Sequence, residues 1–252
     1  IAAARGHLDL VAMLVQSSCN MNLQNDYDDT ALHIAANYDC LDTVSMLIKR
    51  GCDLNLQNEH GYTALHLAAD DNHSDVSSML IEAGCDLNLR KWDQSALHLA
   101  ARLGRSEATS MLIEAGYDLN WQDNKGYTAL HVGLCAVTCA VKLVEAGCDL
   151  NTQRNYKDTA LHGAAREGHS RVVSMLSEAN CDFNLQDVYG NTALYYAANS
   201  CHSEIASNLI EAGCELNLQN THGDTTLICA AQQNHLGIVT ELIDSGCDMF
   251  LI

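Results

Sequence analysis

The sequence contains no proline, few aromatic residues and few basic ones. Phe, Trp and Tyr make up 5% of the 252 residues, and 13 Lys and Arg stand against 32 Asp and Glu, for a formal net charge of −19. Because phosphate binding needs a basic surface, this balance argues against nucleic-acid and anionic membrane partners. No apolar run approaches the roughly 20 residues of a membrane-spanning helix, and no signal peptide is visible.

Two short sequence patterns recur along the chain with a period of 31 to 33 residues. The first is Thr-Ala-Leu-His or a close variant, beginning at Thr30, Thr63, Ser95, Thr128, Thr159, Thr192 and Thr225. The second is Gly-Cys-Asp-Leu-Asn or a close variant, beginning at Gly51, Gly84, Gly116, Gly147, Asn180, Gly213 and Gly246. Two independent patterns in one register indicate a repeat array.

Each repeat predicts two short helices, as the segment 58–89 illustrates. Thr63 is a good N-cap, because its hydroxyl can accept a hydrogen bond from a free N–H of the first helical turn. Apolar residues at helical spacing predict a second helix over about 74–83. Gly84 then ends this helix in the left-handed conformation that favours glycine.

These patterns, read as Thr-Ala-Leu-His-Leu-Ala-Ala followed by Gly-Cys-Asp-Leu-Asn, resemble the ankyrin repeat family over the whole chain. The resemblance implies an all-α fold, an ankyrin-repeat solenoid of paired antiparallel helices with projecting hairpin loops and about seven and a half repeats. The family usually has Pro after the first Thr, whereas this chain has Ala there or, once, Thr, so we expect repeats slightly less stable than consensus ones. We predict one array over 1–252, with repeats at 1–24 (partial), 25–57, 58–89, 90–122, 123–153, 154–186, 187–219 and 220–252.

Both ends of the sequence fall inside the repeat pattern. Ile1 aligns with Ile34, after the Thr-Ala-Leu-His position, and the last four residues are apolar where polar ones are expected. We therefore expect a monomeric segment of a longer array.

Seven of the twelve cysteines occupy one position of the repeat. Equivalent positions in neighbouring ankyrin repeats should lie about 10 Å apart, too far for a disulfide. The thiol is expected to act as a small buried apolar group. This use of cysteine predicts a reducing compartment, the cytosol or the nucleus.

The sequence gives little evidence for a metal site or a catalytic site. The recurring histidines occur once per repeat and cannot converge on one ion, and the family resemblance makes them structural. His131, Cys135 and Cys139 have a spacing that zinc ligands can have, but the repeat is two residues short here, so we expect the two cysteines on different helices. With no oxyanion site and no phosphate-binding loop, we expect no metal, no cofactor and no enzymatic activity.

The turn between the two helices of a repeat needs a residue that tolerates positive φ. Cys201 is the unusual occupant, and we expect a strained or reshaped turn there, with a reactive thiol as the alternative. The aligned residues are Gly6, Asp39, Asn72, Gly104, Gly168, Cys201 and Asn234.

The charge is uneven along the chain. Residues 1–89 carry 3 basic and 13 acidic side chains, residues 90–171 carry 10 and 9, and residues 172–252 carry 0 and 10. The middle is the region where an acidic partner can dock without repulsion, and both tryptophans lie there. Aromatic residues and Arg are typical interface anchors. The predicted partner-binding residues are Tyr62, Arg90, Lys91, Trp92, Arg102, Trp121, Lys125, Tyr127, Arg154, Tyr156 and Arg166.

The leading functional hypothesis is a protein-binding scaffold that holds an acidic protein or peptide on its concave face. An alternative for the site is that the tyrosines pack the hairpins and the charges are solvated surface. Alternatives for the function are an elastic segment of a channel or cytoskeletal protein and a regulatory segment of a larger enzyme. The chain could also be a substrate for asparagine hydroxylation, by resemblance of position, at Asn55, Asn88, Asn120, Asn151, Asn184 and Asn217.

Overall fold

The computed structural model describes residues 13, 20–91 and 93–249 of the chain. The chain divides into two compact units, the first ending at Leu119 and the second beginning at Asn120, and each is described by itself. The single array over 1–252 stays a prediction. The expectations for Ile1, Gly6 and residues 250–252, and for Cys19, the first of the seven repeat-equivalent cysteines, lie outside the described residues.

The described part of the chain contains fourteen helices and no β-strand, which confirms the predicted all-α fold. The first unit has three helix pairs. They are α1 (Ala31–Asn37) with α2 (Leu41–Lys49), α3 (Ala64–Asp70) with α4 (Ser74–Glu82), and α5 (Ala96–Arg102) with α6 (Ser106–Glu114).

The second unit has four helix pairs of the same kind. They are α7 (Ala129–Val132) with α8 (Val137–Glu145), α9 (Ala160–Glu167) with α10 (Ser170–Glu178), α11 (Ala193–Asn199) with α12 (Ser203–Glu211), and α13 (Thr226–Gln232) with α14 (Leu236–Asp244). Within each unit, first helices pack on first helices and second helices on second helices. This is the stacking of repeats that the 33-residue period predicts.

The first helix of each pair begins at the predicted cap. Thr63 is extended, with φ −91° and ψ 170°, and its side chain accepts a hydrogen bond from the backbone N–H of His66. The His66 ring in turn accepts from the Thr63 backbone N–H at 3.3 Å, closing a reciprocal capping box. The same box forms at Thr30, Thr128 and Thr159. Such a cap satisfies donors that would otherwise be unpaired at the helix start.

The core of each unit is built from small and aliphatic side chains. Paired alanines such as Ala68 and Ala69 are fully buried in the first helices, and one leucine per second helix, such as Leu80, is fully buried as well. Alanine lets adjacent helices approach closely, so few large aromatic side chains are needed to fill the core. The low aromatic content follows from this packing.

The repeat 123–153 departs from the others. Its first helix, α7, has only four residues and contacts α9 much less than α9 contacts α11. Leu134 follows the truncated helix and is buried. A Cβ at Gly163 of the next repeat would lie 2.8 Å from Leu134 Cδ1, so the glycine makes room for the leucine that replaces the missing turn.

The inter-helix turns have the left-handed backbone that the sequence predicts. Cys201 is exposed and has φ +60°, the same left-handed backbone as its repeat equivalents, so the turn is strained for a cysteine but is not reshaped. The described residues at this position all have positive φ, and they are Asp39, Asn72, Gly104, Gly168, Cys201 and Asn234.

The repeat-equivalent cysteines are buried free thiols, as predicted. Burial raises the pKa of Cys85 and Cys148 to about 11, so these thiols are neutral at physiological pH. The described members of the set are Cys52, Cys85, Cys148, Cys181, Cys214 and Cys247. Among the described residues, no helix is long and apolar enough to cross a membrane.

Candidate partner-binding site

The hairpin tips of the second unit are held in a row by backbone hydrogen bonds. Asn155 N–H donates to the Lys125 carbonyl at 3.2 Å, and Val188 N–H donates to the Tyr156 carbonyl at 3.0 Å. Thr221 N–H donates to the Tyr189 carbonyl at 2.9 Å. We call Lys125, Tyr156 and Tyr189 the tip row. Their backbones are fixed relative to one another, so their side chains are presented by a rigid frame.

The tip row is exposed. Tyr156 is 60% exposed and Tyr189 is 53% exposed, and Lys125 is exposed beside them. Rigid aromatic side chains in solvent are the usual anchors of protein interfaces, because they bury a large area with little loss of side-chain entropy.

Arg154 connects the tip row to the body of the repeats. Its guanidinium donates to both carboxylate oxygens of Asp158 and to the hydroxyl of Tyr127. Its Cζ lies 4.7 Å from the Tyr127 ring centroid and 6.0 Å from the Tyr156 ring centroid. Burial disfavours its charge, but the hydrogen bonds and charge of Asp158 outweigh burial and raise the pKa of Arg154 above its ordinary value. Only 14% of the Arg154 side chain is exposed. The guanidinium therefore holds the two tyrosines in place, and little of it is available to a partner.

Arg166, near the end of α9, is the more available guanidinium. Its side chain is 39% exposed, and its ion pairs are long, at 3.9 Å to Asp158 Oδ2 and 3.5 Å to Glu167 Oε1. Its Cζ lies 5.7 Å from the Tyr196 ring centroid. We call Tyr127, Arg154, Tyr156, Asp158 and Arg166 the arginine cluster.

A cleft of about 130 Å³ opens at the arginine cluster, lined by Tyr127, Arg154, Arg166 and their neighbours. Pockets for cofactors and drug-sized ligands occupy roughly 300–1,000 Å³. The cleft therefore has room for one side chain of a partner. Its charged lining consists of Arg154 and Arg166 together with Asp158 and Glu167.

Within the first unit, two of the predicted residues, Tyr62 and Lys91, contact each other. Lys91 Nζ lies 3.6 Å from the Tyr62 ring centroid and donates to the Tyr62 hydroxyl, and both side chains are half-buried. Arg90 is half-buried and accepts a hydrogen bond on its carbonyl from Gln57, whereas Arg102 is exposed at the end of α5. Trp92 lies outside the described residues.

The structure thus brings together Lys125, Tyr127, Arg154, Tyr156 and Arg166 of the predicted set, and Trp121 is exposed at the start of the same hairpin. Tyr62 and Tyr127 occupy the residue before the N-cap and not the tip, so for these two the packing interpretation describes the geometry. Sequence reasoning left out Tyr27, which is 62% exposed. The missed signal is that Tyr27, Tyr156 and Tyr189 all lie three residues before the N-cap threonine.

The recurring histidines are structural in the described repeats. His33 Nδ1 contacts Thr30, and its Nε2 lies 2.9 Å from the Tyr62 carbonyl of the next repeat. Because Nδ1 accepts from the Thr30 N–H, the ring proton resides on Nε2. Burial lowers the pKa of His66 and of His131 to about 4, which keeps these rings neutral.

The asparagines considered for hydroxylation link neighbouring repeats. The Oδ1 of Asn151 accepts from the Asp182 N–H at 2.8 Å, and Asn184 Oδ1 accepts from the Glu215 N–H at 2.8 Å. Asn55 and Asn120 make the same contact. The side-chain amides of these asparagines therefore hold neighbouring repeats together, although they lie at the protein surface.

A family model described as ankyrin repeats (3 copies) matches residues 1–91, 88–154, 134–220 and 161–251. The chain belongs to the ankyrin repeat family. Domains of this family are generally protein–protein interaction modules, and a protein-binding function for this ankyrin chain follows at that level. A search of curated protein sequences found no match.

Solved ankyrin repeat domains have the same fold. The human ASB11 ankyrin repeat domain is 25% identical, with a TM-score of 0.74, over 85% of this chain and 96% of that one. The ankyrin repeat domain of Bcl-3, a member of the IkappaB protein family, is 25% identical with a TM-score of 0.75, over 82% and 95% of the two chains.

Proposed function

We propose that this ankyrin chain is a binding module for an acidic peptide segment of a partner protein, held by the tip row and the arginine cluster of the second unit. The observation that carries the proposal is the series of contacts that runs from exposed Tyr156 through Arg154 and Asp158 to Arg166. Aromatic area and an available cation then face the same partner.

The distribution of charge along the chain supports a negatively charged partner peptide. Between residues 120 and 171 the second unit has 6 basic and 5 acidic side chains, whereas residues 172–252 have 10 acidic and no basic ones. A carboxylate of the partner would enter the cleft at Arg166, whose long ion pairs leave donors for a shorter, charge-assisted contact. The acidic remainder of the chain would repel the same peptide elsewhere and so restrict where it binds.

A random peptide library displayed on phage and selected on the immobilised 252-residue chain tests this proposal. We expect the selected peptides to be enriched in Asp and Glu. The affinity of a selected peptide, measured by fluorescence anisotropy, should fall at least about tenfold on Tyr156→Ala and on Arg166→Gln, which corresponds to about 1.4 kcal/mol for each.

Tyr27→Ala is the matched control, since Tyr27 occupies the same repeat position and is equally exposed. Its neighbours Asp26, Asp28 and Asp29 are acidic, so its loss should leave the affinity within about twofold. The proposal is wrong if Tyr156→Ala and Arg166→Gln both bind as tightly as the unmodified chain, or if Tyr27→Ala weakens binding equally.

A further inference from the structure

Three side chains with different metal-binding atoms converge where the shortened repeat meets its neighbour. Cys135 Sγ lies 3.5 Å from His169 Nε2, and Glu167 Oε2 lies 3.5 Å from the same nitrogen. All three ligand atoms lie within 4.8 Å of one another. Cys135 and Glu167 are exposed and His169 is half-buried, so an ion can reach them from solvent.

The shortened repeat is what gives His169 these partners. In other repeats the equivalent residue is tied to the preceding first helix, as when His202 Nε2 contacts the Arg166 carbonyl at 3.2 Å and His73 Nε2 contacts the Asn37 carbonyl at 3.2 Å. For His169 the preceding first helix is α7, which ends early, at Val132, and Cys135 lies in the turn that follows it. The Nε2 of His169 meets a thiol instead of a helix-end carbonyl.

The three side chains are arranged to share one bound cation and not to form a catalytic Cys–His–acid triad. In a catalytic Cys–His–acid arrangement the thiol contacts one ring nitrogen and the carboxylate orients the other. Here the thiol and the carboxylate both face Nε2. Three lone-pair donors around one point are suited to a shared cation, and they offer no oriented base for a nucleophile.

We propose that Cys135, Glu167 and His169 form a Zn²⁺ site with an open fourth position for water. Zinc takes Cys sulfur at about 2.3 Å and His nitrogen or carboxylate oxygen at about 2.0–2.2 Å in a tetrahedron. Those bond lengths place sulfur and nitrogen about 3.5 Å apart, and nitrogen and oxygen about 3.4 Å apart. The two observed separations are 3.5 Å each.

Second contacts orient the carboxylate. Glu167 Oε1 lies 3.5 Å from Arg166 Nη2, which leaves Oε2 turned towards the histidine. A thiolate and a carboxylate balance the charge of the ion, and Arg166 holds the Oε1 oxygen of the carboxylate. The set differs from the one that residue spacing suggests, because Cys139 is fully buried in α8.

The site would connect repeats 123–153 and 154–186, where the four-residue α7 contacts α9 much less than α9 contacts α11. A metal ion that binds the folded chain and not the unfolded one raises its stability. We therefore expect bound Zn²⁺ to stabilise the contact between the two repeats.

Cobalt titration of the reduced, chelator-treated 252-residue chain tests the site, since tetrahedral Co²⁺ reports thiolate ligation by charge-transfer absorption. We expect one Co²⁺ per chain, displaced by Zn²⁺, and a higher melting temperature with stoichiometric Zn²⁺. Cys135→Ser and His169→Gln should each weaken Zn²⁺ binding at least tenfold, and Glu167→Gln severalfold.

Cys201→Ser is the matched control, because Cys201 is also an exposed thiol in an inter-helix turn. It should keep the cobalt spectrum and the zinc affinity of the unmodified chain. The site is disproved if stoichiometric Co²⁺ gives no thiolate charge-transfer band, or if Cys135→Ser, shown to be folded by circular dichroism, binds Zn²⁺ as tightly as the unmodified chain.

Discussion

The hairpins that open repeats 154–186 and 187–219 have the same backbone and opposite side-chain chemistry. Arg154 N–H donates to the Asp158 carbonyl at 3.0 Å, and Asp187 N–H donates to the Asn191 carbonyl at 3.0 Å. In the second hairpin the Asp187 carboxylate accepts from the N–H groups of Tyr189 and Asn191, at 2.9 Å each. In the first, a cation at the start of the loop binds a carboxylate at its end.

The difference shows how a repeat can acquire a binding surface without changing its fold. A carboxylate that caps its own hairpin turns inward and leaves only the tip side chain exposed. The Arg154–Asp158 pair also keeps the hairpin closed, but it adds a guanidinium that holds Tyr127 and Tyr156 and places a second cation, Arg166, beside the same carboxylate. The candidate binding surface therefore lies in the hairpin where an arginine replaces the carboxylate that caps the other hairpin.

The largest expected difference between the two hairpins is in the free energy of unfolding after loss of the carboxylate. Asp158→Ala leaves Arg154 largely buried without its partner and should destabilise the chain by about 3 kcal/mol. Asp187→Ala removes hydrogen bonds to two backbone amides and to the Tyr196 hydroxyl without leaving a buried charge, so about 1–2 kcal/mol is expected. Urea unfolding measures both.

The double variant Arg154→Met with Asp158→Leu is the control for this interpretation. Replacing both members of a buried ion pair by apolar residues is often neutral, so the double variant should recover most of the stability lost by Asp158→Ala. A loss of less than about 1 kcal/mol on Asp158→Ala would show that the pair contributes little to closing the hairpin.

A second difference is in how the free energy of unfolding depends on pH, and here repeat 187–219 is compared with repeat 123–153. The first has Tyr195 at the position where the second has His131. Burial lowers the His131 pKa to about 4, below the ordinary value of about 6.5 in the unfolded chain. The unfolded chain therefore binds the proton first, and the contribution of His131 is complete above about pH 6.5 and lost as the pH falls towards 4.

At about pH 5 this loss should be about 2 kcal/mol relative to about pH 7.5. Urea unfolding at the two pH values should show that His131→Gln is less acid-sensitive than the unmodified chain by that amount. Tyr195→Gln, at the equivalent position without a titrating imidazole, should leave the pH dependence unchanged. Equal pH dependence in His131→Gln and the unmodified chain would contradict the assignment.

The smallest expected difference lies in the left-handed residue of each hairpin, Lys157 with φ +59° and Gly190 with φ +74°. Left-handed backbone costs a non-glycine residue about 1–2 kcal/mol, and glycine loses part of that gain to unfolded-chain entropy. Lys157→Gly should therefore raise the free energy of unfolding by roughly 0.5–1 kcal/mol.

Gly190→Ala is the opposite exchange and should destabilise the chain, because its Cβ would lie 2.9 Å from Asn220 Cα of the next hairpin. Thermal or urea unfolding of the two variants compares them directly. If Lys157→Gly lowers the stability, the lysine side chain makes a contribution that its exposed position does not suggest.

The regular features of the fold could be predicted from the sequence because each depends on residues close together in the chain. The Thr63 cap, the Gly84 helix end and the positive φ of Cys201 are decided within a few positions, and the buried Cys85 follows from its recurrence. The location of individual site residues was less predictable. Tyr127 and Tyr156 both lie in hairpins, and the prediction did not use the fact that the first stands one residue and the second three residues before the N-cap threonine. In the structure Tyr127 is half-buried and Tyr156 is exposed.

The sequence by itself determined the repeat, the helix pairs, the caps, the turns and the family, since a 33-residue period and local hydrogen bonding specify them. The tertiary structure decided which side chains meet. Arg154 reaches Tyr127 of the preceding repeat, and His169 reaches Cys135, 34 residues away. Such contacts depend on how one repeat seats on the next and on a two-residue shortening whose effect appears only when the repeats are stacked.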